Sequence, residues 1–212
     1  MSVFISFEGV DGAGKSTQLK LLLEYLTEKG VDFLLTREPG GTPLAERIRE
    51  VLLDPIHSEM SVISEAFLFA AGRADHVNQV IRPALLAGKV VICDRFVDAS
   101  LVYQGFAGGL PVEFVAQINS MATGDLKPHR TIVLDLSPEA AAARRAGTDA
   151  DDRLEQKGLW FQEQVRQGYL DLAAAEPRRV KLVDASGTVD QVQAQIRTLV
   201  DEMLPRRPRV AG

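Results

Sequence analysis

Cysteine is nearly absent from this chain: Cys93 is the only one among 212 residues. No disulfide can close within it, and a reducing compartment is the simpler setting. No apolar run approaches the roughly 20 residues that a membrane span requires. The opening Met1-Ser2-Val3-Phe4-Ile5 lacks the basic start of a signal peptide, and its apolar run stops at Glu8. These absences point to a soluble, cytoplasmic protein with no membrane partner. Positive charge is not in excess either. Lys and Arg number 24 against 29 Asp and Glu, a formal net charge of −5. A general DNA or RNA binder needs a basic footprint to displace counterions, so nucleic acid is not an expected partner. A small anionic ligand is compatible with that balance, because one pocket can be cationic on an acidic surface. Internal repeats and low-complexity linkers are also lacking, and the length fits one domain, 1–212.

What is present is an alternation. Val3–Phe7, Phe33–Thr36, Val90–Cys93, Thr131–Leu136 and Lys181–Val183 are short β-branched or aromatic runs that read as strands. Between them lie segments of helical period, such as Leu19, Leu22, Leu23 and Leu26, which Gly30 then stops. Ser137-Pro138 reads as an N-cap followed by proline at the first helical position. Thr188 with Gln191 fits a capping box. Strand and helix repeated five times predict an α/β fold: a five-stranded parallel sheet with helices on both faces. Val62 to Ala71 is apolar on nearly every side, so that helix must be covered more than once, as a central core helix, a subunit interface, or both. The tail 205–212 is basic and broken by proline, and reads as a loose end rather than a nucleic-acid arm.

Gly9-Val10-Asp11-Gly12-Ala13-Gly14-Lys15-Ser16 matches G-x-x-x-x-G-K-[ST] between the first strand and the first helix. Glycines let the chain curl with its N–H groups inward, where a side chain would block phosphate oxygens. The helix N-terminus adds partial positive charge at the same point. Lys15 can neutralise the β- and γ-phosphates, and the Ser16 hydroxyl can hold Mg²⁺. A triphosphate site is expected over Gly9 to Thr17. No N-K-x-D base-reading motif is present, against a GTPase, and the chain is short for a motor. Lys89-Val90-Val91-Ile92-Cys93-Asp94-Arg95-Phe96 puts an acid at the carboxyl edge of the sheet, where such folds bind ligands. The arginine beside it could hold a second phosphate.

From here the sequence resembles the bacterial thymidylate kinases, nearly end to end. The resemblance rests on Phe7-Glu8-Gly9 with the phosphate loop, Thr36-Arg37-Glu38-Pro39-Gly40-Gly41, Asp94-Arg95-Phe96, Ser100-Leu101-Val102-Tyr103-Gln104-Gly105 and Asp152-Arg153-Leu154-Glu155-Gln156, in that order. It implies a P-loop kinase fold with a short lid at about 144–156, a homodimer, and Mg²⁺-dependent transfer from ATP to dTMP giving dTDP, in dTTP biosynthesis. It also implies a dTMP site containing Asp11, Glu38, Pro39, Arg49, Phe69, Arg73, Arg95, Ser100, Tyr103 and Gln104. Arg49 and Arg95 resemble clamps on the acceptor phosphate, Asp11 the carboxylate near the sugar 3′-hydroxyl, Tyr103 the ring under the sugar, and Asp94 a direct or indirect Mg²⁺ ligand.

Residue chemistry agrees with that set. Phe69 and Arg73 are four apart on an expected helix, hence on one face, and a ring with a guanidinium suits a pyrimidine. Phe67 points about 200° away. Ser100 and Gln104 are likewise four apart, and a carboxamide complements the imide edge of thymine. The acceptor is a phosphate monoester, with a second pKa of about 6. It needs no general base, so His57, His76 and His129 receive no catalytic role. Lys15, Arg95 and a further arginine should carry catalysis by positioning and charge neutralisation. The loop Asp11-Gly12-Ala13 has no arginine, which implies a lid type, yet 146–152 is acidic. Arg153 is expected at the transferring phosphate and Arg144 near the adenine or outer phosphates. A kinase for another nucleoside monophosphate or a deoxynucleoside is an alternative, as is a nucleotide-binding protein without turnover, which the acidic lid would suit.

Overall fold

The computed structural model describes residues 2–145, 153, 154 and 157–204. Most of the expected lid and the tail 205–212 lie outside them. Five strands form one sheet: β1 (Val3–Glu8), β2 (Phe33–Arg37), β3 (Val90–Asp94), β4 (Arg130–Asp135) and β5 (Val180–Asp184). Their order is β2-β3-β1-β4-β5, and every pair is parallel. β1 is central, and successive strands add on one side and then on the other. This switch opens a crevice at the carboxyl ends of β1 and β3.

The helices are α1 (Lys15–Glu28), α2 (Pro43–Leu53), α3 (Val62–His76), α4 (Arg82–Leu86), α5 (Val97–Ser100), α6 (Val112–Thr123), α7 (Pro138–Arg145), α8 (Gly158–Ala175) and α9 (Val189–Asp201). Local chemistry fixes their ends as expected. Gly30 sits at φ 59° just past α1, Ala140 N donates to the Ser137 hydroxyl, and Thr188 and Gln191 form both bonds of the capping box. Two wider π turns were not expected. Val77–Ile81 links α3 to α4, and Leu101–Phe106 extends α5.

Alternation along β1 sends its side chains to two cores. Val3, Ile5 and Phe7 join Leu22, Ile132, Val165 and Ile196 beneath α1, α8 and α9. Phe4 faces the other side with Ile81, Val91 and Phe96, its ring edge-on to that of Phe96 at 4.8 Å. Buried charge is matched. Asp98 accepts from both Arg179 Nη groups at 2.6 and 2.9 Å and from the Thr131 hydroxyl.

α3 is built the opposite way round from an ordinary surface helix. Its buried residues include Glu65, Arg73 and His76, whereas Ile63 and Phe67 are 39% and 53% exposed. The charges face inward because they build a site. The apolar residues face outward, with Phe67 edge-on to Phe114 of α6 at 6.2 Å.

Ile132 lies wholly buried on β4, beside the central strand. Ile132→Ala should lower unfolding free energy by about 2–5 kcal/mol, the range for a large aliphatic deletion in a packed core. Urea denaturation measures it, and a loss below about 1 kcal/mol would mean this core is not packed as described.

Candidate active site

The phosphate loop leaves β1 and enters α1 through Gly14, at φ 96°, with no side chain capping the helix. The first N–H groups of α1 therefore face the cleft, where an anion can take them. The glycines have a second reason as well. A Cβ on Gly9 would come within 2.6 Å of the Leu134 carbonyl oxygen, and one on Gly12 would strike that of Ala141. The loop is pressed against β4 and α7 from behind. Val10 and Ala13, expected at the triphosphate, turn their side chains into the core, so only their backbone can meet a ligand.

A cleft of about 760 Å³ runs from this loop across the carboxyl edge of the sheet, within the usual range for small-molecule sites. Seven cations (Lys15, Arg37, Arg49, Arg73, Arg95, Arg144, Arg145) and three acids (Asp11, Glu38, Asp94) line it. On a chain of net charge −5, that local excess marks an anion site. Ser16, Thr17, Pro39, Phe69, Ser100, Tyr103 and Gln104 line it as well. The π turn at Leu101–Phe106 carries Tyr103 and Gln104 into the same cleft as Ser100. Such turns recur at functional sites.

At the phosphate end the cations are pre-paired. Lys15 Nζ donates to the Gly9 and Val10 carbonyls at 3.0 and 3.2 Å and stands 3.8 Å from Asp11. Burial, then repulsion from Arg95, lowers its pKa, against the pull of Asp11, Asp94 and Glu8. Arg95 donates to the Gly9 carbonyl at 2.9 Å and to Asp11 at 2.5 Å, with its guanidinium 5.2 Å over the Tyr103 ring. Burial works against the Arg95 charge, but Asp11, with Tyr103, Tyr169 and Asp94, outweighs it and raises the pKa further. Burial would raise Asp11 too, yet Arg95 and Lys15 bring it down to about 2. Asp94 Oδ1 is buried with no hydrogen-bond partner among the described residues.

At the other end Arg73, 2% exposed, is held from four directions. Nε donates to Glu38 at 2.7 Å, Nη1 to Ser100 and Asn119, and Nη2 to the Phe96 carbonyl. A guanidinium has five N–H groups, which leaves one on Nη2 for a ligand. Glu38 is further tied to His76 at 3.0 Å, whose other ring nitrogen meets Thr36. Glu38, expected at the nucleotide, is thus occupied in orienting Arg73, and Asn119 and His76 are partners the sequence did not announce. Arg49 reaches the Pro39 carbonyl at 3.1 Å.

Among the lid arginines the placement differs from expectation. Arg153 is 4% exposed, with Nη2 on Glu65 at 2.6 Å and Nε on the Leu52 carbonyl. Its charge is paired with that buried carboxylate. Arg145, to which no role was given, lies instead against the loop: its Cδ is 3.1 Å from where a Gly12 Cβ would be, and it helps hold Asp11 ionised. Arg144 donates to the Ala185 carbonyl at 2.9 Å beside Gly14. Residues 146–152, whose acidity raised the question of turnover, lie outside the described residues.

Glu8, given no role in the sequence beyond ending the first apolar run, ties three elements together. It accepts from Phe96 N at 2.9 Å and from the Tyr169 hydroxyl of α8 at 2.8 Å. Arg95 between them has φ 67°, a left-handed backbone that a non-glycine residue keeps only where its neighbours enforce it.

Comparison with known proteins follows the same direction. A family model for thymidylate kinase matches residues 7–196. The chain is similar to the thymidylate kinase of Symbiobacterium thermophilum, 69% identical over 212 residues that cover 100% of this chain and 99% of that one. It is also similar to that of Syntrophotalea carbinolica, 48% identical over 198 residues, 91% and 92% of the two chains. A crystal structure of thymidylate kinase from Ehrlichia chaffeensis matches with a TM-score of 0.77 at 33% identity, covering 94% of this chain and 98% of that one.

Burial, with Asp98 nearby, raises the Glu8 carboxyl from its usual 4.5 to about 8 against Arg95, Tyr169 and Phe96. Between those values the folded chain keeps a proton that the unfolded chain has released. The stability this contributes is complete below about 4.5 and is lost as pH rises through about 8. Glu8→Gln removes that dependence, so its melting temperature relative to the parent should climb from pH 5 to pH 8. A difference that stays flat across the series would remove the raised carboxyl.

Proposed function

We infer, since the chain belongs to the thymidylate kinase family, that it moves the terminal phosphoryl group of ATP to dTMP, giving ADP and dTDP. The observation that carries this most directly is one cationic cleft joining a phosphate-binding loop to an aromatic and guanidinium pair suited to a pyrimidine. The remaining assignments are proposals for this chain. ATP takes its phosphates to the backbone of Gly9 to Thr17 and to Lys15, with Arg144 at its outer side. The base of dTMP lies against Phe69, with Arg73, Ser100 and Gln104 at its edge and Tyr103 beneath the sugar. Arg49 and Arg95 take its phosphate.

Ser16 and Asp94 fit a divalent cation. A hydroxyl faces the cleft and a buried carboxylate oxygen lacks a hydrogen bond, while phosphate and water supply the other ligands of a magnesium site. Among the described residues no group of three or more His, Cys, Asp or Glu could hold a metal, in keeping with a cation that arrives with ATP. Bound there, Mg²⁺ would neutralise charge on the transferred group.

Catalysis then needs positioning and charge, not proton transfer, because the acceptor phosphate is already ionised at neutral pH. Asp11 aims the Arg95 guanidinium at the acceptor phosphate. Arg145, pressed on the loop, takes the place beside the transferring phosphoryl for which Arg153 was expected. The exposed Ile63 and Phe67 of α3, with Phe114, form the contact of a homodimer. No described helix is long and apolar enough to cross a membrane, and we assign the enzyme to the cytoplasm.

Coupled ADP-release assays over dTMP, dUMP, UMP, CMP, GMP and AMP test the activity. Turnover should be greatest with dTMP, and comparable turnover with UMP would defeat the assignment. In the same assay Lys15→Ala should lose at least 10³-fold in rate while melting within a few degrees of the parent. For the dimer, Phe67→Arg should shift sedimentation toward the monomer, and an unchanged dimer would place the interface elsewhere.

A further inference from the structure

Glu65 is wholly buried on α3 and has no part in the reaction described so far. Its Oε1 accepts from Gln104 Nε2 at 2.7 Å. Its Oε2 accepts from Arg153 at 2.6 Å and from Lys157 at 3.3 Å. A carboxylate offers lone pairs and no N–H. The Gln104 side chain, 1% exposed, must therefore turn its amide nitrogen toward Glu65. Its carbonyl oxygen is then left for the cleft, together with the second amide hydrogen.

We propose that Glu65 is a specificity-determining positioning residue, which fixes the face of Gln104 so that the site accepts a base with N–H at ring position 3 and rejects one with a lone pair there. The proposal rests on Gln104 meeting the acceptor base. Thymine carries that N–H and cytosine does not. Were Gln104 free to rotate by half a turn, its two faces would suit the two bases about equally, since a carboxamide is nearly symmetric in shape. Arg73 reinforces the choice, because its remaining Nη2 hydrogen suits a carbonyl at ring position 4 and opposes an amino group. Arg153 and Lys157 compensate the carboxylate, which would otherwise be a lone buried charge. Through Glu65, Arg153 thus takes part in base selection.

Steady-state kinetics with dTMP and dCMP test this in three variants. In Glu65→Gln the new amide can keep its oxygen on Arg153 and turn its nitrogen to Gln104, which reverses the Gln104 face. The ratio of kcat/KM for dTMP over dCMP should fall about tenfold or more, mainly through KM for dTMP, with KM for ATP unchanged. That is the scale for mispairing one buried polar group. Glu65→Asp remains acceptor-only, so it should hold the ratio within about threefold even if overall activity drops, and it serves should Glu65→Gln not fold. A Glu65→Gln enzyme weakened equally toward both acceptors, or a Glu65→Asp enzyme that loses the ratio, would overturn the proposal. Gln104→Ala separates the premise: KM for dTMP should rise about tenfold. No change there would show that the base does not meet Gln104 and would remove the proposal with that premise.

Discussion

A buried guanidinium cannot wait alone for its ligand. The cost of stripping water from such a charge is several kcal/mol, and it must be met inside the protein before a nucleotide arrives. Most of the site follows from this. Arg95 is held by Asp11 and the Gly9 carbonyl, Arg73 by Glu38, Ser100, Asn119 and Phe96, and Arg153 by Glu65. The carboxylates keep the cations charged, and they also aim them. A phosphate or base edge therefore meets donors already in place, and little reorganisation is left for the moment of reaction.

The same pairing explains why α3 is inverted. An ordinary helix buries its apolar stripe and shows its charges to water. Here Glu65, Arg73 and His76 point inward to the cleft and its supports, while Ile63 and Phe67 are left outside. Function occupies the face that packing would normally claim. The displaced apolar residues are then left as an exposed surface on α3.

Glu8 shows how far this logic reaches behind the site. It lies at the end of the central strand, directly before the phosphate loop, and joins the Phe96 backbone to Tyr169 on the helix that follows the lid segment. The unusual backbone of Arg95 is enclosed by these bonds. The loop, the acceptor-side arginine and α8 therefore share one buried carboxyl.

Much was legible in the sequence because it depends on neighbours in the chain. Strand runs, helix caps and the phosphate loop are set by residues a few positions apart, and they stand within a residue or two of where periodicity put them. Phe69 with Arg73, and Ser100 with Gln104, came from the family resemblance, and helical spacing agreed with them because residues four apart share a face. The sequence did not reveal which charges would meet across the fold. Arg153 was expected at a phosphate from its position after the lid, and its pairing with a carboxylate 88 residues earlier could not be read from the chain. Arg145 and Glu8 drew no assignment, and both stand against the loop. Local order is written in short-range torsions and spacing, whereas the partner of a buried charge is chosen by whichever opposite charge the packed sheet and helices bring within about 3 Å.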